Sequence, residues 1–220
     1  MLTDNFPGLR PFPRFYPIID SELVEARGVT PVDVATVLLD GGVRILQYRH
    51  KAQFTRARWE EAKEIARLSR EAQALCIIND RADIALLLDC GLHVGQEDLL
   101  PVDARQVIGN ARTLGLSTHN EQQFQEALSE PVDYIAIGPV FGTSSKRNPD
   151  PVVGLDLVRA VRALTQKPLI AIGGITRESA PLVFEAGADS IAVIGDLYPP
   201  APLNSEELRG RIREWMTIAE

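Results

Sequence analysis

Two cysteines in 220 residues are too few for a disulfide framework, and the spacing of Cys76 and Cys90 fits no zinc motif. Each lies in an apolar stretch, so both read as small buried hydrophobes. No apolar run approaches the roughly 20 residues that a bilayer span needs. The opening MLTDNFPGLR lacks a basic-then-apolar signal pattern. The expectation is a cytoplasmic protein with no membrane partner. Runs of Lys or Arg are missing too, the net charge is −7 and the pI is near 5.1, which argues against a nucleic-acid partner. An acidic chain that takes an anionic ligand must concentrate its positive charge locally or recruit a metal.

What is present is alternation. Residues 1–13 carry three prolines and no periodicity, and read as a loosely ordered lead-in to one domain over 14–220. Short β-like runs then recur at 15–20, 43–48, 74–80, 92–95, 113–117, 134–138, 168–174 and 190–195. Longer segments with helical spacing separate them. Thr30-Pro31-Val32-Asp33 reads as an N-cap with proline at the first helical position. Ala62, Ile65, Ala66, Ser69 and Ala72 form one stripe of a long helix, and Leu208, Ile212, Trp215 and Ala219 one face of a last helix. The segment 199–202 is a proline break. Strict strand–helix alternation implies a parallel sheet. Eight units predict a closed (β/α)8 barrel, for which roughly 200 to 250 residues suffice. An open doubly-wound sheet is the alternative, but the first turn has no GxGxxG fingerprint.

A barrel places its chemistry at the C-terminal ends of the strands, and polar residues do cluster there. Gln47, Arg49 and Lys51 alternate at the end of the second run and can project together. An amide, a guanidinium and an ammonium converging on one point suit a polyanion such as diphosphate, although a solvated strand end would look similar. Asp80 after the third run and Asp98 after the fourth suit Mg²⁺ shared with phosphate oxygens. A salt bridge to Arg81 or a nearby Lys is the other role for Asp80. Ser117 can bond a heterocycle or cap the next helix, and His119 reads as structural rather than catalytic. His93 could face the barrel or the helices, and His50 is a weak proton-shuttle candidate. Thr143, Ser144, Ser145 and Lys146 follow the sixth run in a glycine-containing loop suited to phosphate oxygens. Gly173-Gly174 after the seventh run and Ile194-Gly195 after the eighth stand where barrels often bind phosphate.

These pieces, in order, resemble the thiamine-phosphate synthases: QYRHK (47–51), INDRADIA (78–85), GLHVGQED (91–98), GLSTH (115–119), DYIAIGPVFGTSSK (133–146), AIGGI (171–175) and GADSIAVI (187–194). The resemblance implies displacement of diphosphate from a hydroxymethylpyrimidine diphosphate by the ring nitrogen of a thiazole phosphate. It implies that Gln47, Arg49, Lys51, Asn79 and Lys146 hold the diphosphate, with Tyr48 and His50 counted in the same segment. Arg49, Lys51 and Lys146 would stabilise the leaving group, Asp80 and Asp98 bind Mg²⁺, and Ser117 lie by the pyrimidine. Thr143, Ser144, Ser145, Gly173, Gly174 and the backbone of Ile194 and Gly195 would face the thiazole phosphate. The partners implied are small phosphorylated substrates, and a homo-oligomer stays open. Two departures stand out. Gly195 occupies a position where the family commonly has Ser, and Ser145 one where Thr is common. The related thiazole tautomerases characteristically have His at the place of Pro139 and tend to lack the Asp at 80, so both residues favour the synthase. A catalytically silent binder of phosphorylated ligands would have little use for two metal carboxylates.

Overall fold

The computed structural model describes residues 11–143, 150–198 and 202–220. Eight parallel strands close into a barrel in chain order: β1 (Phe15–Asp20), β2 (Ile45–Arg49), β3 (Leu75–Asn79), β4 (Gly91–Val94), β5 (Leu114–Thr118), β6 (Tyr134–Ile137), β7 (Leu169–Ile172) and β8 (Ser190–Val193). The ring closes where Tyr16 of β1 pairs with Ala192 of β8. Around it run α1 (Ser21–Glu25), α2 (Pro31–Asp40), α3 (Arg56–Glu71), α4 (Ala82–Leu88), α5 (Pro101–Ile108), α6 (Glu121–Ala127), α7 (Gly154–Arg162), α8 (Ala180–Glu185) and α9 (Ser205–Ile218). No helix among the described residues is long and apolar enough to cross a membrane.

The two-residue strand period sorts side chains into two layers. Tyr16, Ile18, Ile45, Leu75, Ile77, Tyr134, Ala136, Ile170 and Ala192 fill the barrel interior, with Phe12 packed beneath them. Their strand neighbours, among them Phe15, Ile19, Leu46, Cys76 and Ile78, pack outward against the helices. The interior is large-against-small. A Cβ on Gly115 would lie 2.0 Å from Cζ of Tyr134, and one on Gly91 would lie 2.4 Å from Cδ1 of Ile77. Glycine on β4 and β5 is thus the space that the tyrosine and isoleucine occupy.

The helix signals hold where they are strong. Thr30 and Asp33 form a reciprocal capping box before Pro31, and Ala62, Ile65, Ala66 and Ser69 are the buried face of α3. Leu208, Ile212 and Trp215 are buried on α9, where Trp215 stacks on Phe15 with centroids 5.4 Å apart. Weak or local signals moved the boundaries. The one-and-a-half turns of α1 are too short to show periodicity and exist because Asp20 accepts the Leu23 N–H at 3.0 Å. β7 stops at Ile172 rather than 174, since Gly173 and Gly174 have φ of 95° and 65° and cannot continue a strand. Of the proline break at 199–202, residues 199–201 lie outside the described residues.

Candidate active site

The C-terminal ends of the strands form a polar mouth over the apolar interior. Strand register sets its first row. Asp20 pairs with Arg49 across β1 and β2, and Asn79 with His93 across β3 and β4. Inward parity on each strand follows the same alternation that buries Ile18, Ile45 and Ile77. Arg49 forms an ion pair with Asp20, whose other oxygen caps α1. One carboxylate therefore fixes both the helix start and the guanidinium. Asn79 is buried at 8% exposure, and its Nδ2 has no hydrogen-bond partner among the described residues. A buried donor left unsatisfied is costly and marks a place that a ligand acceptor would complete.

Beside this row stand the two acids. Lys51 donates to Asp80 at 2.5 Å, and Asp98 accepts the Gly95 N–H at 2.7 Å. Burial raises the pKa of Asp80, Lys51 lowers it, and the neighbouring Asp98 carboxylate raises it again. The two acids are therefore close enough to repel, and the Lys51 ammonium offsets this at Asp80. Asp80 adopts φ of 63°, a left-handed conformation that is rare outside glycine, asparagine and aspartate. Its amide donates to the carbonyl of His93 at 2.8 Å, tying the strained residue to the next strand. Among the described residues no group of three or more His, Cys, Asp or Glu could hold a metal. A two-carboxylate arrangement fits an ion that draws its other ligands from phosphate and water.

The opposite rim is built from turns. Val140 N–H bonds the Ile172 carbonyl and Phe141 N–H the Gly173 carbonyl, both at 2.9 Å, so the loop after β6 lies along the turn after β7. A Cβ on Gly173 would lie 2.4 Å from Pro139, and one on Gly174 would lie 2.4 Å from the Gly142 carbonyl. The glycine pair is required first by this close approach and its positive φ. Thr143 follows directly and is half-buried. β8 is paired with β7 up to Ile172 and Ala192, and Gly195 opens a 3₁₀ turn to Leu197. That turn is anchored by Asp196, which accepts from Arg177 at 3.0 Å and from the Trp215 indole at 3.1 Å.

Of the residues singled out in the sequence, Arg49, Lys51, Asn79, Asp80, Asp98 and Ser117 stand at or just after the ends of β2 to β5, and Thr143, Gly173, Gly174, Ile194 and Gly195 follow β6 to β8 on the other side of the ring. Ser144, Ser145 and Lys146 lie outside the described residues. Tyr48 does not join them. It is the outward residue between two inward ones, and its hydroxyl donates to Glu61 on α3 at 2.5 Å. His50 also faces away from the acids, its ring held by Ser21 at 2.7 Å and the Gln53 carbonyl at 3.2 Å. Gln47 sits below Arg49 at 3% exposure, its amide nitrogen donating to Tyr16. β2 ends at Arg49, so Lys51 reaches Asp80 from the loop and not by strand alternation.

Asp20 and Tyr134 are not singled out in the sequence, and His93, which by sequence could face the barrel or the helices, faces the barrel. Asp20 ends the first apolar run as Asp80 ends the third, and the same reading would have found it. His93 alternates with outward Leu92 and Val94, which fixes it inward once β4 is placed. Tyr134 at a strand start carries no signal that separates it from a core tyrosine.

The family model described as thiamine monophosphate synthase matches residues 15–197. A thiamine-phosphate synthase of Koribacter versatilis is 50% identical over 84% of this chain and 89% of its own. Another, of Chloroflexus aurantiacus, is 41% identical over 82% and 83%. A solved thiamine phosphate pyrophosphorylase from Pyrococcus furiosus superposes with a TM-score of 0.82 at 30% identity, covering 96% of this chain and 98% of that one. Phosphogluconate aldolase barrels from Zymomonas mobilis superpose at 15–16% identity and share the fold alone. With matching motifs around a closed barrel, the chain belongs to the thiamine monophosphate synthase family, transferases that form thiamine phosphate in thiamine biosynthesis.

Proposed function

We propose that this chain joins 4-amino-2-methyl-5-(diphosphooxymethyl)pyrimidine to 4-methyl-5-(2-phosphooxyethyl)thiazole or its carboxylate form, releasing diphosphate. The carbon–oxygen bond to diphosphate breaks with its electron pair leaving on oxygen. The thiazole nitrogen then supplies the pair for the new carbon–nitrogen bond. The amino-substituted ring spreads positive charge on its exocyclic carbon, so the step is dissociative and needs no enzymic nucleophile.

The observation that carries this reading is the Asp80–Asp98 pair beside Lys51, Arg49 and the unsatisfied Asn79 amide. Asp80 and Asp98 would hold Mg²⁺, whose charge would neutralise the leaving diphosphate. Arg49, fixed by Asp20, and Lys51 would grip the same group, joined by Lys146. Asn79 Nδ2 would donate to a diphosphate oxygen, and Ser117 would lie by the pyrimidine. Gln47, on the same inward face of β2 as Arg49, would join them at the pyrimidine diphosphate. Thr143, Ser144 and Ser145, with the backbone of Gly173, Gly174, Ile194 and Gly195, would hold the thiazole phosphate and so aim its ring nitrogen.

Incubation with both substrates and Mg²⁺ should yield thiamine phosphate and diphosphate in equal amounts; diphosphate alone would reject the reading. Chelation with excess EDTA should abolish turnover, and Mg²⁺ should restore it. Undiminished turnover in EDTA would remove the metal role. Gly195→Ser should lower the KM for thiazole phosphate about tenfold with kcat little changed, the worth of one hydrogen bond to a charged group. Gly195 is exposed and has no positive φ, so its backbone conformation is one a serine adopts. An unchanged KM would show that no hydroxyl contact is missing.

A further inference from the structure

Beneath the mouth a chain of hydrogen bonds is buried across the barrel, and its middle members, Tyr16, Tyr134 and His93, have no part in the reaction described above. Gln47 Nε2 donates to the Tyr16 hydroxyl at 2.9 Å, which lies 3.0 Å from the Tyr134 hydroxyl. The Tyr134 hydroxyl is 2.9 Å from Nδ1 of His93, and Nε2 of His93 is 2.8 Å from Oγ of Ser117. Five residues on five strands are thus connected from β2 to β5. The His93 ring stacks on Tyr134, centroids 5.6 Å apart and planes 19° apart, which holds the imidazole in line. Both phenols are fully buried, and burial pushes their pKa values well above the usual tyrosine value, so both keep their protons at neutral pH.

The direction of such a chain is decided at its end. The Tyr16 hydroxyl accepts from the Gln47 amide, so its one proton goes to the other partner, the Tyr134 hydroxyl. Tyr134, having accepted, gives its own proton to Nδ1 of His93. A neutral imidazole then carries its hydrogen on Nε2 and donates it to Ser117. Ser117 accepts from below, and its own proton is left for the mouth, where the residue is half-exposed. Turning the Gln47 amide over would reverse every step and leave Ser117 donating inward. A hydrogen on both ring nitrogens of His93 would leave the Tyr16 proton without an acceptor in the chain.

We propose that this buried chain makes Ser117 a one-way hydrogen-bond donor to the substrate, with Tyr16, Tyr134 and His93 as positioning residues. Given the reading that places the aminopyrimidine by Ser117, the serine faces a ring nitrogen, which accepts, and not the exocyclic amine, which donates. The first test needs no substrate. The chain has three histidines, so ¹⁵N-histidine labelling, with His93→Gln for assignment, reads the tautomer directly. His93 protonated only at Nε2 is the expected result; protonation at Nδ1, alone or with Nε2, overturns the proposal. The second test is kinetic. Tyr134→Phe should lower kcat/KM for the pyrimidine diphosphate about tenfold and leave the KM for thiazole phosphate unchanged. In a Ser117→Ala background the same change should cost nothing further, and full additivity overturns the proposal. An inactive protein with the Nε2 tautomer would sink the synthase reading alone, whereas an active one with the Nδ1 tautomer would sink only this inference.

Discussion

Asp80→Asn is expected to lower kcat by on the order of 10³-fold, the scale at which one electrostatic contact to a developing anion or its metal acts. The melting temperature without added metal should not fall. Asparagine keeps the shape and tolerates the left-handed φ of 63° that alanine would resist. The stability side follows from the sign of the pKa shift. Burial and Asp98 raise the carboxyl of Asp80 in the folded protein, so folding favours its protonated form. The ionised group costs stability once pH rises through the raised value. A neutral amide removes that cost, although it also releases Lys51. The midpoint of Asp80→Asn should accordingly stand at or above that of the parent at neutral pH, and the gap should narrow as pH falls through the carboxylate range. Kinetics with both substrates and thermal unfolding check the two halves. A variant with near-parental turnover would remove Asp80 from the metal site, and a large drop in stability would make it a structural residue.

Gly173→Ala carries the second large effect, and it falls on the fold. The new Cβ would lie 2.4 Å from Pro139 and require a φ of 95°. The left-handed conformation costs roughly 1–2 kcal/mol, and relieving the overlap about 1–3 kcal/mol more. A total of roughly 2–5 kcal/mol corresponds to a fall of about 4–20 °C for a chain of this size. The relief must come from the loop after β6, since Phe141 donates to the Gly173 carbonyl, so Thr143 moves with it. The KM for thiazole phosphate should rise while that for the pyrimidine diphosphate holds. A variant as stable as the parent would show that the seam yields freely and that the glycine serves the ligand instead.

The barrel was legible because each of its signals is local. Apolar runs, a capping box at Thr30 and a stripe on α3 each depend on neighbours within a few residues. The acids at 80 and 98 were legible because strand ends collect function in this fold. Direction was harder to read. Tyr48 and Gln47 are adjacent in sequence and opposite in space, and only the register of β1 against β2 says which one faces inward. Lys51 meets Asp80 through a loop, and no periodicity describes a loop. The Gly173–Gly174 turn was read as an approach for an anion, yet its nearest demand comes from Pro139 and Gly142, residues more than 30 positions away. Asp20 acts on Arg49 across a strand boundary, and the chain from Gln47 to Ser117 joins five strands. Contacts of that kind exist only after closure.

Gly115 and Tyr134 occupy one volume between them, and this constrains how the interior can drift. A side chain at 115 cannot be accepted while the tyrosine stands, and loss of the ring at 134 leaves a void that an addition at 115 would fill. The viable path between two such interiors therefore has an order: position 134 shrinks first, at the expense of stability, and position 115 grows afterward to restore it. Lineages that took the path would show the two positions changing together, and an interior lacking the phenol would have to orient its histidine by other means.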